Sequence, residues 1–397
     1  MRVVVIGDVG VVDGMMHIGD EAMFEAMTAE LRARGARITG ISSAPEETAS
    51  RYGIAAIDRI GFDLSAGRDA AEQRLALVLR AATDDDVFGA LPQDDSARGV
   101  IDAVRSASGV AVAGGGNLAS TWPQHAYERR ALAGIARALG RPVVVSGQTL
   151  GPHLVDRDRE LVAELFADAS LVGLREGASF RLARQLAGPD APLTATVDDA
   201  SFLVSGSTEP DGHLLVSLST HLGGRDRIMS VAAIAGLLDR LTASSGLPVR
   251  FLAHFGSLED GVVRGDSVLH EEVRAAMSAP SEVIATSDSR AAADAARHAE
   301  LLVTSRYHPA VFAVPAGVPT VAIAVDDYTR IKLRGALGNF GQDTVVALDD
   351  VLSGAADRVA DAAWAKRDRT RAEGTRISGD RYPEWSAWWD RVADLLR

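Results

Sequence analysis

The sequence has no cysteine, which excludes a disulfide framework, a thiolate metal site and a thiol nucleophile in any compartment. Lysine is nearly missing as well. Lys332 and Lys366 are the only two, so almost every fixed cation the chain can offer to an anion is a guanidinium. Long apolar runs are lacking: nowhere do ~18–20 uninterrupted apolar residues follow one another, as a membrane-crossing helix requires. The opening run from Met1 to Gly7 is too short for a secretory signal and stops at Asp8. The protein is therefore expected to be soluble and cytoplasmic, without an integral membrane segment. Positive charge is also in short supply, 41 basic against 54 acidic side chains for a net charge of −13. Such a surface repels the backbone of nucleic acids unless a basic patch overrides it, and no basic run is present, so nucleic acid is not an expected partner. An anionic small molecule stays compatible, because one or two well-placed arginines hold a phosphate or carboxylate.

What is present is a long chain with a regular alternation. Its 397 residues exceed what one core of ~100–200 residues needs, so two domains are expected. Short apolar, β-branched runs at 3–6, 37–41, 110–113, 143–146, 171–174 and 194–197 read as strands, with helical segments such as 20–34, 126–139 and 176–186 between them. Turn formers over 205–212 mark a linker, and the pattern then restarts, with strands at 214–218, 249–253, 301–304 and 320–324 and helices at 228–244 and 289–298. This is α/β class, two doubly wound Rossmann-like domains facing a cleft, over 1–205 and 206–354. A helical extension over 355–397 is expected to dock through Trp364, Trp385, Trp388 and Trp389. The acidic stretch at Asp84–Asp86 and Asp94-Asp95 reads as a solvated loop, and no carboxylate and histidine cluster has metal-ligand spacing.

Three segments at strand ends could carry chemistry. Gly7-Asp8-Val9-Gly10, running on to His17-Ile18-Gly19-Asp20-Glu21, joins the first strand to the first helix and fits neither a dinucleotide fingerprint nor a P-loop. Its helix start could receive an anion or sugar hydroxyls, and Asp20 also suits an N-cap. Gly114-Gly115-Gly116-Asn117 follows the strand at 110–113, and Gly147-Gln148-Thr149-Leu150-Gly151-Pro152 follows that at 143–146. These read as loops whose bare backbone and amides can approach a ligand, or as simple connectors. Thr121 to His125 comes next, where Trp122 could stack a sugar ring or pack a helix start. Thr304-Ser305-Arg306-Tyr307-His308-Pro309 ends the strand at 301–304, with Pro309 suited to a first helical position. An arginine two residues from a histidine at a helix N-terminus points to a phosphate or carboxylate guest.

Taken in order, Gly19-Asp20-Glu21, Gly114-Gly115-Gly116-Asn117, Gly147 to Pro152, Arg175-Glu176 with Ser179, Ser305-Arg306-Tyr307-His308, Gly317-Val318-Pro319 and Lys332 resemble the polysaccharide pyruvyl transferase family, over about residues 5 to 340. The resemblance implies a GT-B-like pair of doubly wound domains and transfer of a pyruvyl group from phosphoenolpyruvate onto two hydroxyls of a sugar or glycan as a ketal. It implies Arg306 and His308 as catalytic residues, with Ser305, Lys332, Ser219 and His221 beside them on the donor side. Asp20, Glu21, Gly115, Gly116, Asn117 and Gln148 form the implied acceptor side in the first domain. The donor is a co-substrate, and neither a cofactor nor a metal is implied. Two positions depart from the family pattern. Val216 to His221 has no arginine where one is expected, so either Ser219, His221 or Arg225 stands in or the donor has changed, and Asp198-Asp199-Ala200 replaces an Asp-Pro-Ala type turn. The same architecture would also serve a nucleotide-sugar glycosyltransferase, or a non-catalytic sugar-binding relative.

Overall fold

The computed structural model describes residues 1–206 and 209–397. Ser207 and Thr208, inside the expected linker, lie outside the described residues. The strands are β1 (Arg2–Ile6), β2 (Met15–His17), β3 (Arg37–Ser42), β4 (Ala55–Asp58), β5 (Gly109–Val112), β6 (Gly115–Leu118), β7 (Val143–Leu150), β8 (Leu171–Leu174) and β9 (Leu193–Ala195). They continue as β10 (Leu214–Ser217), β11 (Val249–Leu252), β12 (Phe255–Ser257), β13 (Ser281–Ile284), β14 (Leu301–Thr304), β15 (Thr320–Ala324) and β16 (Val345–Ala347).

Contacts divide the chain into two compact units. The first holds residues 1–11, 23–199 and 385–397, and the second holds 12–22 and 200–384. The first is built on an eight-stranded sheet in the order β4-β3-β1-β5-β7-β8-β9, with β6 paired to β7. The second is built on a six-stranded sheet, β13-β11-β10-β14-β15-β16, accompanied by the antiparallel pair β2 and β12. Neighbouring strands within the two larger sheets run parallel. Strands covered on both faces favour apolar runs, such as Val143 to Val145 of β7, and β5, β7, β10, β14 and β15 are buried at every position. The helices show the complementary 3.6-residue pattern. In Ser96–Ser106, for instance, Ala97, Val100, Ile101 and Val104 are buried. The helix Arg227–Ser245 is long and apolar enough to cross a membrane, but here Val231, Ile234, Leu238 and Leu241 belong to the core of the second unit.

Several expectations change on contact with the structure. The contact division falls at Asp199 and Ala200 rather than at 205, and the extension is shared out: residues up to Glu384 go with the second unit, while Trp385, Trp388 and Trp389 are buried in the first. Residues 12–22 go with the second unit because β2 pairs with β12. The acidic stretch is not a plain loop, since Asp84 and Asp95 cap two short helices by accepting backbone N–H groups. Asp20 is no cap, because its helix, Ile18–Ala33, begins two residues earlier. Pro309 is the third rather than the first residue of the helix Tyr307–Ala313.

Candidate functional site

In the second unit, the residues expected on the donor side gather at the carboxyl ends of β10, β14 and β15, the edge where open α/β sheets bind ligands. Ser305 donates its backbone N–H to Ser217 O at 3.0 Å, and its hydroxyl accepts the Ser219 N–H at 2.8 Å, so Ser305 and Ser219 tie two strand ends together. Arg306 occupies the N-cap of Tyr307–Ala313, and Thr304 Oγ1 accepts its N–H at 2.9 Å. Its guanidinium is held in a fork. Nε reaches Asp266 Oδ2 at 2.8 Å and Nη2 reaches Oδ1, while Nη1 lies outside the pair. Asp266 is fully buried, and its Oδ2 also accepts the Phe255 N–H at 2.9 Å. The arginine is thus a cation already balanced by one buried carboxylate, with 28% of its side chain still exposed.

His308, the second residue of that helix, is half-buried, its ring 5.0 Å from that of Tyr307 and nearly perpendicular to it. Gly19 must be a glycine, because a Cβ there would collide with the imidazole. Asp20 and Glu21 belong to the unit that carries His308, not to the one that carries Asn117, which corrects their placement on the first-domain side. Lys332 comes to the same turn along Asp327–Gly338. Its Nζ donates to Tyr328 Oη at 3.1 Å and lies 5.0 Å from the Tyr307 ring centre. His221 is exposed and faces Asp326, Nε2 to Oδ2 3.1 Å, while Asp326 caps the helix of Lys332.

Behind this turn stand residues that the sequence did not single out. His254 Nδ1 and Ser217 Oγ are 3.0 Å apart, and His270 Nε2 accepts the Leu218 N–H at 2.9 Å, which leaves the proton on Nδ1. Burial depresses both imidazoles, His254 to about 3 and His270 to about 4, so both are neutral at physiological pH. The readable signal was their placement, polar residues just past a strand end or in the helix after it.

In the first unit, Gly115, Gly116 and Asn117 are not a loop but β6, paired with β7 so that Gly115 lies opposite Gln148. Gln148 Nε2 donates to Ala113 O at 2.7 Å, and its buried Oε1 has no partner among the described residues. Asn117 Nδ2 donates to Asp8, just past β1. Burial would raise the Asp8 carboxyl, but Arg129 at 2.8 Å, His125 at 2.8 Å and Arg59 at 3.7 Å overturn that and hold it well below the usual carboxylate range. Arg175 and Glu176 are structural: Arg175 bonds Thr149 Oγ1 at 2.8 Å and Asp198 at 2.6 Å, and Ser179 accepts the Leu150 N–H at 2.7 Å. The adjacent Asp199, 2.7 Å from Ser146 Oγ, is pushed up to about 7 by burial. A cavity of about 740 Å³ lies elsewhere, at the amino ends of β15 and β16, lined by Thr320, Thr344, Arg358 and Lys366, and coincides with none of these groups.

The architecture recurs in solved proteins of low sequence identity. A UDP-GlcNAc 2-epimerase from Neisseria meningitidis bound to UDP-GlcNAc superposes with a TM-score of 0.58 at 10% identity, over 100% of this chain and 99% of that one. A putative UDP-N-acetylglucosamine 2-epimerase from Listeria monocytogenes gives 0.56 at 9% identity, over 94% and 90% of the two chains. The calicheamicin glycosyltransferase CalG4 gives 0.50 at 14%, over 100% and 98%. The fold is therefore that of the GT-B glycosyltransferases and epimerases. Among curated proteins no sequence matches the chain. The family model for polysaccharide pyruvyl transferase matches residues 17–327, and the chain belongs to that family.

Proposed function

We propose that the protein transfers a pyruvyl group from phosphoenolpyruvate to two hydroxyls of a sugar or glycan, forming a ketal in the cytoplasm. The observation that carries this reading is the turn after β14, where Arg306, steadied by Asp266, stands two residues from an imidazole packed against Gly19. Phosphoenolpyruvate brings a phosphate and a carboxylate, both suited to a fixed guanidinium. Its enol must accept a proton at the methylene carbon, a task for a group that titrates near neutrality. In this reading His308 gives that proton, and Arg306 and Lys332 hold the donor's negative charge. A sugar hydroxyl attacks the cationic carbon, phosphate leaves, and the second hydroxyl closes the ketal. Ser305 and Ser219 brace the strand ends, so their role toward the donor is to shape the turn.

The test is donor choice. Ligands that bind only the folded state raise its apparent stability with saturation. Phosphoenolpyruvate is expected to raise the melting temperature while UDP-sugars leave it unchanged. Stabilisation by a UDP-sugar alone would turn the reading toward nucleotide-sugar chemistry, and a response to neither would remove both donors.

A further inference from the structure

Charge is sorted along one helical face of the second unit. Counting from Arg358, the residues Ala362, Lys366, Arg369 and Thr370 recur at three- and four-residue intervals, so on the consecutive helices Ala356–Ala365 and Arg367–Leu395 they share a side. That side forms one wall of the cavity of about 740 Å³. The acidic residues of the same stretch are committed to other partners. Asp357 and Asp361 face Arg240, Asp368 faces Arg367, and Glu373, on the cavity wall, is held in a fork by Arg376. Arg358, Lys366 and Arg369 are exposed and have no ion pair among the described residues. Like charges gathered around one concavity repel one another, and an anion placed among them removes that repulsion.

The facing wall is braced and carries the opposite sign. Gln342 is buried there, its Oε1 accepting the Thr320 N–H at 3.0 Å and its Nε2 donating to Val318 O at 2.9 Å. The Thr344 hydroxyl donates to Thr320 O, so the amino ends of β15 and β16 are held together. Beside them Asp343 is exposed and has no ion pair among the described residues. A carboxylate repels a phosphate but accepts hydrogen bonds from hydroxyls. Cations on one wall and an acceptor on the other therefore match a molecule with a dianionic phosphate at one end and hydroxyls at the other. The volume falls within the ~300–1,000 Å³ of small-molecule sites. The cavity opens at the amino end of β15, ~15 Å along the strand from the carboxyl edge where Arg306 stands.

We propose that this cavity is a binding site for a sugar phosphate, with Arg358, Lys366 and Arg369 holding the phosphate dianion and Asp343 accepting from the sugar hydroxyls. The inference is independent of the pyruvyl transfer reading, since every residue in it belongs to the second unit and none to the donor turn. Inorganic phosphate shares the anionic half of this chemistry and lacks the hydroxyls, so comparing the two ligands separates the contributions of the two walls.

The experiment is calorimetry on the full chain at low salt, with glucose 1-phosphate, glucose 6-phosphate, mannose 6-phosphate and inorganic phosphate as probes. At least one sugar phosphate is expected to bind about tenfold or more tightly than inorganic phosphate. The triple variant R358Q/K366Q/R369Q breaks no ion pair of the described residues and should melt close to wild type. Its affinity for that sugar phosphate is expected to fall by about 30-fold or more. D343N should weaken the sugar phosphate by about three- to tenfold and leave inorganic phosphate unchanged. A triple variant that binds the sugar phosphate as wild type does overturns the site, as does a wild type that binds none of them at up to about 10 mM. Inorganic phosphate bound as tightly as every sugar phosphate overturns the sugar and the role of Asp343.

Discussion

Arg306 has two obligations, one to the fold and one to the proposed donor. Its fork on Asp266 compensates a carboxylate with no exposure to water, and breaking a buried pair from one side costs ~3–5 kcal/mol. Arg306→Ala is therefore expected to lower stability as well as to weaken phosphoenolpyruvate binding by ~30-fold or more. Calorimetry well below the variant's melting temperature separates the two effects. If His308 gives the proton, His308→Ala should cut turnover by ~10²–10⁴-fold and change donor affinity little. An affinity loss as large as the turnover loss would make His308 a phosphate contact instead. Asp199 bears on pH dependence. Burial raises its folded-state pKa to about 7, so between the usual carboxylate value and pH 7 the folded protein holds a proton that the unfolded chain has released. Its contribution to stability is therefore lost as pH rises through that window. Urea titrations should show the gap between Asp199→Asn and wild type widening in the variant's favour from about pH 5 to 8, and a gap independent of pH would mean that the carboxyl is ionised throughout.

At the level of elements, the long helix Arg367–Leu395 is sewn through glycines to the segment between the short helix Tyr307–Ala313 and β15. A Cβ on Gly374 would sit 2.5 Å from Gly317 Cα and 3.3 Å from Val314 O, so backbone meets backbone there. Gly317 has φ 73°, which only glycine adopts without strain. Gly374→Ala should destabilise by ~1–3 kcal/mol through overpacking. Gly379→Ala, on the same helix with open space around it, should be neutral or stabilise by up to ~1 kcal/mol from better helix propensity. Denaturant midpoints of the two variants check the contrast. Equal midpoints would mean that the helix can shift to make room.

At the level of the whole molecule, the chain finishes in the unit where it began. Trp385, Trp388 and Trp389 belong to the first unit although residues 200–384 before them belong to the second, and Trp388 Nε1 donates to Ser146 Oγ at 3.0 Å. Removing one buried tryptophan side chain costs ~3–5 kcal/mol, and a domain holds only ~5–15 kcal/mol in all. A chain ending at Glu384 should therefore lose the folded first unit and aggregate. Sedimentation and near-UV circular dichroism of the soluble fraction test this, and a soluble monomer with native signal would contradict it.

The sequence by itself determined the class of fold and where its strands end. Apolar runs such as Val143-Val144-Val145 and the 3.6-residue stripe of Ser96–Ser106 are properties of consecutive residues, and burial on one or both faces follows directly from them. The Ser305 to His308 turn was legible for the same reason, being polar residues set directly after such a run. Only the tertiary structure decided the rest. Gly115-Gly116-Asn117 carries no strand propensity, and it is extended because β7 offers backbone groups to pair with. Asp20 and Glu21 changed sides because β2 pairs with β12, some 240 residues away in sequence. The Asp266 fork on Arg306 and the Asp8 pair with His125 join residues 40 and 117 positions apart. No local pattern specifies such partners, because a buried charge is matched by whatever the packing of distant elements brings within hydrogen-bond reach.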